Sequence, residues 1–162
     1  MSYITKAQAL ELYDHDTEAD DKHVFQGDVF SDLSLFVPRA GGAAEWVLTT
    51  AVVVSHHCEW TKAKKAIARG DDWPILVAPM HVMADAYTEW ERQRIGEGGF
   101  RSLLHFPVEG LVTADYAADL RLLQPFSARD LLEAEYLATA DQDLNAALRA
   151  KVAEYLWRDF TV

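Results

Sequence analysis

The stretch EWVLTTAVVVSHHCE, residues 45–59, decides which fold the sequence predicts. Its first part, through Val54, is rich in β-branched side chains and is typical of a long, mostly buried β-strand. The apolar run ends abruptly at Ser55, and four ionisable residues, His56 to Glu59, follow directly. Because such a strand has to end at the rim of a small barrel, we expect these polar side chains to meet solvent there.

Shorter apolar segments on both sides of this strand predict the rest of a sheet. They are HVFQGDVF at 23–30, SLFV at 34–37, WPILVAP at 73–79, RSLLHFPV at 101–108 and YAADLRLLQPF at 116–126. Five or six short strands at this spacing predict a small, strongly bent antiparallel β-barrel. We expect the strand over 46–55 to pair with the strand near 24–30, with Gly27 at a bend or bulge where a side chain would clash.

Helical patterns accompany the strands. Between residues 80 and 94, apolar residues recur at three- and four-residue spacing and predict one amphipathic helix that stops at Gly96. Residues 139–142, TADQ, are typical of a capping box and predict a helix after them. The apolar stripe of that helix comprises Leu144, Leu148, Val152, Tyr155 and Leu156. Residues 5–8, TKAQ, fit another capping box and predict a short helix to about Tyr13.

These segments predict one domain of the α+β class in three parts. Residues 1–22 form an N-terminal helix and an acidic loop, in which we interpret 14–21 as solvated. Residues 23–126 form the barrel, with the helix inserted at about 80–95. Residues 127–162 form a C-terminal helical part.

The overall composition limits the functional classes. A chain of 162 residues, 50% of them hydrophobic, is long enough to bury a core, and no apolar run approaches the roughly 18 residues that cross a bilayer. No signal peptide is visible and the single cysteine allows no intramolecular disulfide, so we expect a cytoplasmic protein. The formal net charge of −11 disfavours binding to duplex nucleic acid, which usually needs a basic surface.

The order of several motifs resembles that of the PemK/MazF-like barrel proteins. The motifs are QGDVF at 26–30, VVVS at 52–55, PILVAP at 74–79 and GLVTADYAADLRLLQPFSARDL at 110–131. The similarity extends over about residues 24–132. The chain resembles still more a group of uncharacterised bacterial and phage proteins, which share an S-[HQ]-x-C-[DE] strand end and a closing helix. This second resemblance implies an origin in a phage or mobile element.

The resemblance implies an SH3-like barrel and, for the toxin members of the family, a metal-independent endoribonuclease activity. Those enzymes use an arginine from the loop before the long strand and a serine or threonine at that strand's end. Ser55 matches the latter position. The stretch from Trp46 to Thr50 contains no arginine, and Arg39 lies far up the hairpin. In a nuclease of this type, Ser55 and His57 would be the catalytic candidates.

The strand end itself admits several interpretations. Cys58 could act as a nucleophile if a neighbouring imidazole lowered its pKa, and on a continuing strand His56 would share its face while His57 would not. His56 and Cys58 could also bind a metal, but zinc needs three or four ligands, so we predict no metal and no other cofactor. In a purely structural interpretation, Cys58 is a small buried hydrophobe.

The chain's one concentrated basic stretch follows directly. Lys62, Lys64, Lys65 and Arg69 lie within TKAKKAIARGDD, residues 61–72. A basic loop beside a polar strand end attracts anions, although the lysines would also suit a solvated loop or a short helix. We expect His56, Cys58 and the three lysines to line one shallow cavity that accepts an anion.

The sequence favours a non-catalytic binding module over an enzyme. Its candidate binding residues are His56, Cys58, Glu59, Lys62, Lys64 and Lys65. Its partner would be an anionic ligand, a nucleic acid end or another protein, and a homodimer is left open. The alternative is a metal-independent endoribonuclease of the PemK/MazF type.

Overall fold

A computed structural model of the chain describes residues 2–13, 20, 22–38, 41–110 and 112–158. The predicted acidic loop, except Asp20, and Arg39 lie outside the described residues. Within them the chain forms eight strands and six helices. The strands are β1 (Tyr3–Ile4), β2 (Asp28–Pro38), β3 (Ala44–Val53), β4 (Pro74–Val82), β5 (Leu103–Phe106), β6 (Tyr116–Asp119), β7 (Gln124–Ser127) and β8 (Glu135–Ala140). The helices are α1 (Lys6–Tyr13), α2 (His57–Ala68), α3 (Met83–Ala86), α4 (Glu89–Gly96), α5 (Ala128–Leu131) and α6 (Gln142–Arg158).

The strands form an antiparallel sheet, which confirms the α+β class. Neighbouring strands follow the order β1-β8-β2-β3-β4-β6-β5, and β7 pairs with the first half of β4. The long strand β3 pairs with β2 as predicted, with Val29 opposite Val52. Its other edge pairs with β4, which places β3 in the centre of the sheet.

The turn at Gly27 sets the start of β2. Gly27 has a φ of +90°, and a Cβ atom there would lie 3.1 Å from the Cβ of Ala140 and 3.3 Å from the Cγ of Asn145. Both the backbone conformation and the lack of space therefore favour glycine, as predicted. Past a bulge at which Asp32 adopts a φ of 56°, β2 continues as one strand through residue 38.

The sheet is strongly bent, and side chains bridge strands that do not pair directly. The side-chain amide of Gln124 in β7 donates to the carbonyl oxygen of Phe36 and accepts from its N–H, at 3.1 and 2.9 Å. At the ends of the strand order, the Tyr3 hydroxyl donates to the carbonyl oxygen of Pro107 at 2.9 Å, and its ring centroid lies 6.4 Å from that of Phe106. The outermost strands therefore approach each other.

Two hydrophobic clusters pack on opposite faces of β3. One cluster contains Ala51 and Val53 together with Trp60 of helix α2. The other contains Val52 together with Leu144 of helix α6. Alternate residues of β3 thus serve different cores, which explains why the run over 51–54 is apolar without interruption.

The predicted helix over residues 80–94 is wrong in its first part and interrupted in its second. β4 continues through Val82, because Met80 and Val82 pair with residues of β6. The short helix α3 follows, and Thr88 then starts α4 with a capping box that includes Glu91. Sheet pairing overrides the helical spacing of the sequence here.

The C-terminal helix is confirmed as α6, but the predicted capping residue is wrong. Asp141 accepts a hydrogen bond at 2.8 Å from the N–H of the third residue of the helix. Thr139 lies in β8 instead, and its hydroxyl donates to the carboxylate of Asp28. The N-terminal capping box is confirmed, since the N–H of Thr5 donates to the side chain of Gln8 at 2.9 Å.

In the described part of the chain, no helix combines the length and apolar character that a membrane crossing needs.

Candidate functional site

The strand end singled out in the sequence forms the corner between β3 and α2. Beyond the last residue of β3, the N–H of Val54 still donates to the carbonyl oxygen of Leu76 in β4 at 2.8 Å. The hydroxyl of Ser55 then accepts from the N–H of Leu76, also at 2.8 Å. The catalytic candidate Ser55 therefore prolongs the pairing of β3 with β4 through its side chain.

His56 caps helix α2 instead of continuing the strand. Its backbone is extended, and its Nδ1 atom accepts from the N–H of Cys58 at 3.4 Å and lies 3.2 Å from the Cys58 sulfur. These two residues are therefore brought together by a helix cap and not by a shared strand face. Cys58 is exposed, so it is not the buried hydrophobe of the structural interpretation. His57 begins α2, and its side chain lies outside the described part of the structure.

The basic segment after this corner is helical, which matches the short helix that the sequence left open and not the basic loop. Apolar residues spaced along α2 give the helix a buried face, which includes Trp60 and Ala63. On the outer side, the Lys62 ammonium lies 2.6 Å from a carboxylate oxygen of Glu59, and this hydrogen bond lowers the pKa of Glu59. The other carboxylate oxygen of Glu59 accepts from the indole N–H of Trp73 at 3.3 Å.

Acidic partners offset much of the positive charge of this segment. The Lys64 ammonium lies 3.9 Å from a carboxylate oxygen of Asp20, and Arg69 lies 3.7 Å from Asp71. Helical spacing places Cys58, Lys62 and Lys65 on one face of α2 and Lys64 on another. The predicted residues are thus neighbours along the corner and helix, but the three lysines do not share one face. Anion binding at this corner stays a prediction.

A metal centre finds no support in the described residues. No group of three or more histidine, cysteine, aspartate or glutamate side chains that could hold a metal ion occurs among them. His56 and Cys58 supply two neighbouring donor atoms, fewer than a structural zinc site uses.

A buried polar network that the site prediction missed surrounds Asp28. The Asp28 carboxylate is buried, forms a salt bridge with Lys6 and accepts from the N–H of Phe25 at 2.9 Å and from the hydroxyl of Thr139 at 2.5 Å. Burial raises the pKa of Asp28, and the hydrogen bonds and the charge of Lys6 partly oppose this rise. The ammonium of Lys6 also lies 4.4 Å from the ring centroid of Tyr136. The network ties helix α1 to β2 and β8.

A second missed cluster contains His81, Asp119 and Arg121. The guanidinium of Arg121 donates two hydrogen bonds to the buried Asp119 carboxylate at 2.9 and 2.7 Å, and the Nε2 atom of His81 lies 3.7 Å from a carboxylate oxygen. Burial alone would raise the pKa of Asp119, but Arg121 and His81 outweigh it and hold the pKa at about 2.

His81 also lines two open cavities of about 620 and 450 Å³. In the described part of the chain, however, no hydrogen bond joins His81 to a hydroxyl or a thiol. A hydrolytic triad is built on such a bond between a histidine and its nucleophile.

The most exposed apolar residues of the sheet lie on the hairpin of β2 and β3. Phe36, Trp46 and Leu48 are 47%, 69% and 71% exposed. Phe36 and Trp46 are opposite each other in the β2–β3 register, with ring centroids 5.4 Å apart, and Leu48 follows two residues after Trp46 on the same strand face. We call these three residues the hairpin face.

The sequence contained a signal for this face. Between Trp46 and Leu48 stands Val47, so both faces of the strand carry large apolar side chains. A strand with two apolar faces needs cover on both of them. Helix α6 covers one face only near Val52, and the structure leaves the part of that face at Trp46 and Leu48 open.

Comparison of the sequence with protein-family models finds no match, and a search among curated proteins likewise finds no similar one.

Proposed function

We propose that this protein is a non-catalytic binding module on a small SH3-like barrel, and that it recognises a protein partner through the hairpin face. The barrel is supported by the bend of the sheet and by the side-chain bridges of Gln124 and Tyr3. The order of the QGDVF, VVVS and PILVAP motifs, which resembles the PemK/MazF-like proteins, supports it as well.

The observation that carries the function is the exposure of three large apolar side chains on one face of a paired hairpin. Burying a side chain of this size stabilises a complex by about 2 kcal/mol. Tryptophan and other aromatic residues in the centre of an interface contribute much of the binding energy of protein complexes. The hairpin is held by the β2–β3 pairing and by Gln124, so it presents these side chains without a large loss of conformational entropy on binding.

The corner at His56 and Cys58 is a second surface for the same class of function. Cys58, Lys62 and Lys65 share the outer face of α2, and the anion-binding hypothesis now rests on that face. Lys62 pairs with Glu59, which weakens the local positive field. The hairpin face is therefore the stronger candidate for the main contact.

Affinity capture with matched variants tests the proposal. The tagged protein would be compared with Trp46→Ser/Leu48→Ser and with Trp90→Ser/Trp157→Ser, which removes two equally exposed apolar residues from α4 and α6. We expect one protein to be retained from an extract of the source cell by the unaltered chain and by the α4/α6 variant, and to be lost with the hairpin variant. Equal retention by both variants would contradict binding through the hairpin face.

The endoribonuclease alternative is kept because Ser55 stands at the strand end that such enzymes use, beside the cap residue His56. The two functions differ in one assay. A metal-independent nuclease cuts single-stranded RNA in the presence of a chelator, and that activity would be lost in Ser55→Ala. We expect no cleavage by the unaltered protein, and cleavage that depends on Ser55 would replace the binding proposal.

A further inference from the structure

A cleft of about 520 Å³ lies next to the hairpin face, between the hairpin and the segment formed by β7 and α5. Trp46 and Phe126 supply its aromatic wall. Trp46 belongs to both the hairpin face and the cleft, so a partner that covers the hairpin face also reaches the cleft. A cleft of this volume has room for a long side chain of a partner beside the apolar contact.

The charge of the cleft is strongly one-sided. Three carboxylate side chains line it, those of Asp32, Asp130 and Glu133, and none of its lining residues is a lysine, arginine or histidine. Within the described part of the chain, these three carboxylates form no ion pair with a basic side chain. This differs from helix α2, where Glu59 pairs with Lys62. Carboxylates that face one cleft without a counter-charge attract a cation.

We propose that the cleft receives an arginine or lysine side chain from the protein partner that covers the hairpin face. The proposal rests on the proposed binding function and names the chemistry of the partner: a basic residue flanked by apolar ones. Trp46 and Phe126 would hold the planar guanidinium or the ammonium through cation–π contact, and the carboxylates would neutralise it. The apolar neighbours of that residue would cover Trp46 and Leu48.

Short peptides of defined sequence test this pairing. Three acetylated and amidated pentapeptides would carry arginine, citrulline or glutamate between two leucines, with glycine at both ends. Citrulline keeps the shape of arginine without its charge. Binding to the ¹⁵N-labelled protein is followed by NMR, with the indole N–H signal of Trp46 identified by its loss in Trp46→Ala. We expect the arginine peptide to shift this signal and to bind roughly fivefold more tightly than the citrulline peptide.

Charge variants then locate the site. Asp130→Asn/Glu133→Gln is expected to lower the affinity for the arginine peptide roughly fivefold and to leave the affinity for the citrulline peptide unchanged. The control, Glu89→Gln/Asp143→Asn, removes the same charge from α4 and α6 and should leave both affinities as they are.

Equal affinity of the arginine and citrulline peptides, or an equal effect of the two charge variants, would overturn the basic-residue proposal and leave the hairpin face as a binding surface. A lack of any shift of Trp46 with the arginine peptide would overturn the proposal as well, and the capture experiment would then decide the proposed function separately. A shift of Trp46 that grows with protein concentration alone would show that a second copy of the chain occupies the face, and it would also overturn the proposal.

Discussion

At the scale of single residues, Gly27 connects the first turn to two other parts of the fold. Its N–H donates to the carbonyl oxygen of Val53, and its own carbonyl oxygen accepts from the N–H of Ala140. The structure therefore explains why glycine and aspartate occupy two neighbouring positions of the QGDVF motif. Gly27 provides the left-handed turn, and Asp28 provides the buried carboxylate that Lys6 neutralises.

We expect Gly27→Ala to lower the free energy of unfolding by about 2 kcal/mol, since it combines a left-handed backbone with a tight contact against Ala140. Gly70→Ala is the matched control. Gly70 has a φ of +87°, but nothing lies within 4 Å of the position of its Cβ atom. Its replacement should lower the free energy of unfolding by about 1 kcal/mol. Urea denaturation of both variants measures the difference, and equal losses would show that the contact at Gly27 has no effect.

The lowered pKa of Asp119 predicts that the stability of the protein depends on pH. Its pKa in the folded protein is about 2, below the ordinary value of 3.8. A carboxyl group whose pKa is lowered by folding stabilises the protein above its unfolded pKa, and this contribution is lost as the pH falls through the folded pKa. We therefore expect Asp119→Asn to be less stable than the unaltered protein by about 2 kcal/mol at pH 7 and by much less near pH 2. Urea unfolding at both pH values tests this, and a constant difference would contradict it.

At the scale of secondary-structure elements, local patterns predicted those elements whose buried face is continuous. The residues of β3 and the apolar stripe of α6 each face a core directly, so their spacing reveals the element. The segment over 80–94 could not be assigned in this way. Met80 pairs with Thr50 of β3 and with β6, and Val82 pairs with β6. Both partner strands are thirty or more residues away along the chain.

The candidate site was predictable to the same limited extent. The sequence located the polar corner at the end of β3, because an apolar run must stop there. It did not reveal that His56 would start a helix, because the cap depends on the side chain folding back to the N–H of Cys58. The apolar residues of the hairpin face are visible in the sequence. The acidic cleft beside them depends on how the hairpin lies against β7 and α5, and no local pattern reports that arrangement.

Helix α2 carries the remaining anion-binding prediction. Lys62→Gln/Lys64→Gln/Lys65→Gln should abolish any binding of phosphate, nucleotides or short RNA at low salt, because it removes three of the four positive charges of the segment. The melting temperature should change little, since the ion pairs of Lys62 and Lys64 are largely exposed to solvent.

The matched control for this variant removes three positive charges elsewhere, as Arg94→Gln/Arg101→Gln/Lys151→Gln. Calorimetry with each ligand measures the effect. If the unaltered protein binds none of them, the anion-binding hypothesis for the corner fails.

At the scale of the whole molecule, we expect the purified protein to contain no stoichiometric zinc. The corner offers only two neighbouring donor atoms, from His56 and Cys58, and the described residues contain no larger group of metal-binding side chains. Elemental analysis of protein purified without a chelator tests this. One zinc per chain that disappears in Cys58→Ser would contradict the expectation.

The whole chain is acidic, with a net charge of −11, and three of its exposed apolar residues, Phe36, Trp46 and Leu48, lie together on the hairpin. The two properties fit one account, in which the negative charge repels other acidic surfaces and draws a basic partner to the acidic cleft beside the hairpin. The same account places the main contact at Trp46, because this tryptophan is exposed and also lines the acidic cleft.

The most direct test is hydroxyl-radical footprinting of the protein in an extract of its source cell, followed by mass spectrometry of three tryptophans. Trp46, Trp90 and Trp157 are 69%, 65% and 77% exposed, so all three should oxidise at similar rates in the isolated protein. The account predicts that oxidation of Trp46 falls several-fold in the extract while Trp90 and Trp157 continue to react as before. Equal rates for all three in the extract, or protection of Trp90 or Trp157 instead of Trp46, would contradict binding through the hairpin face.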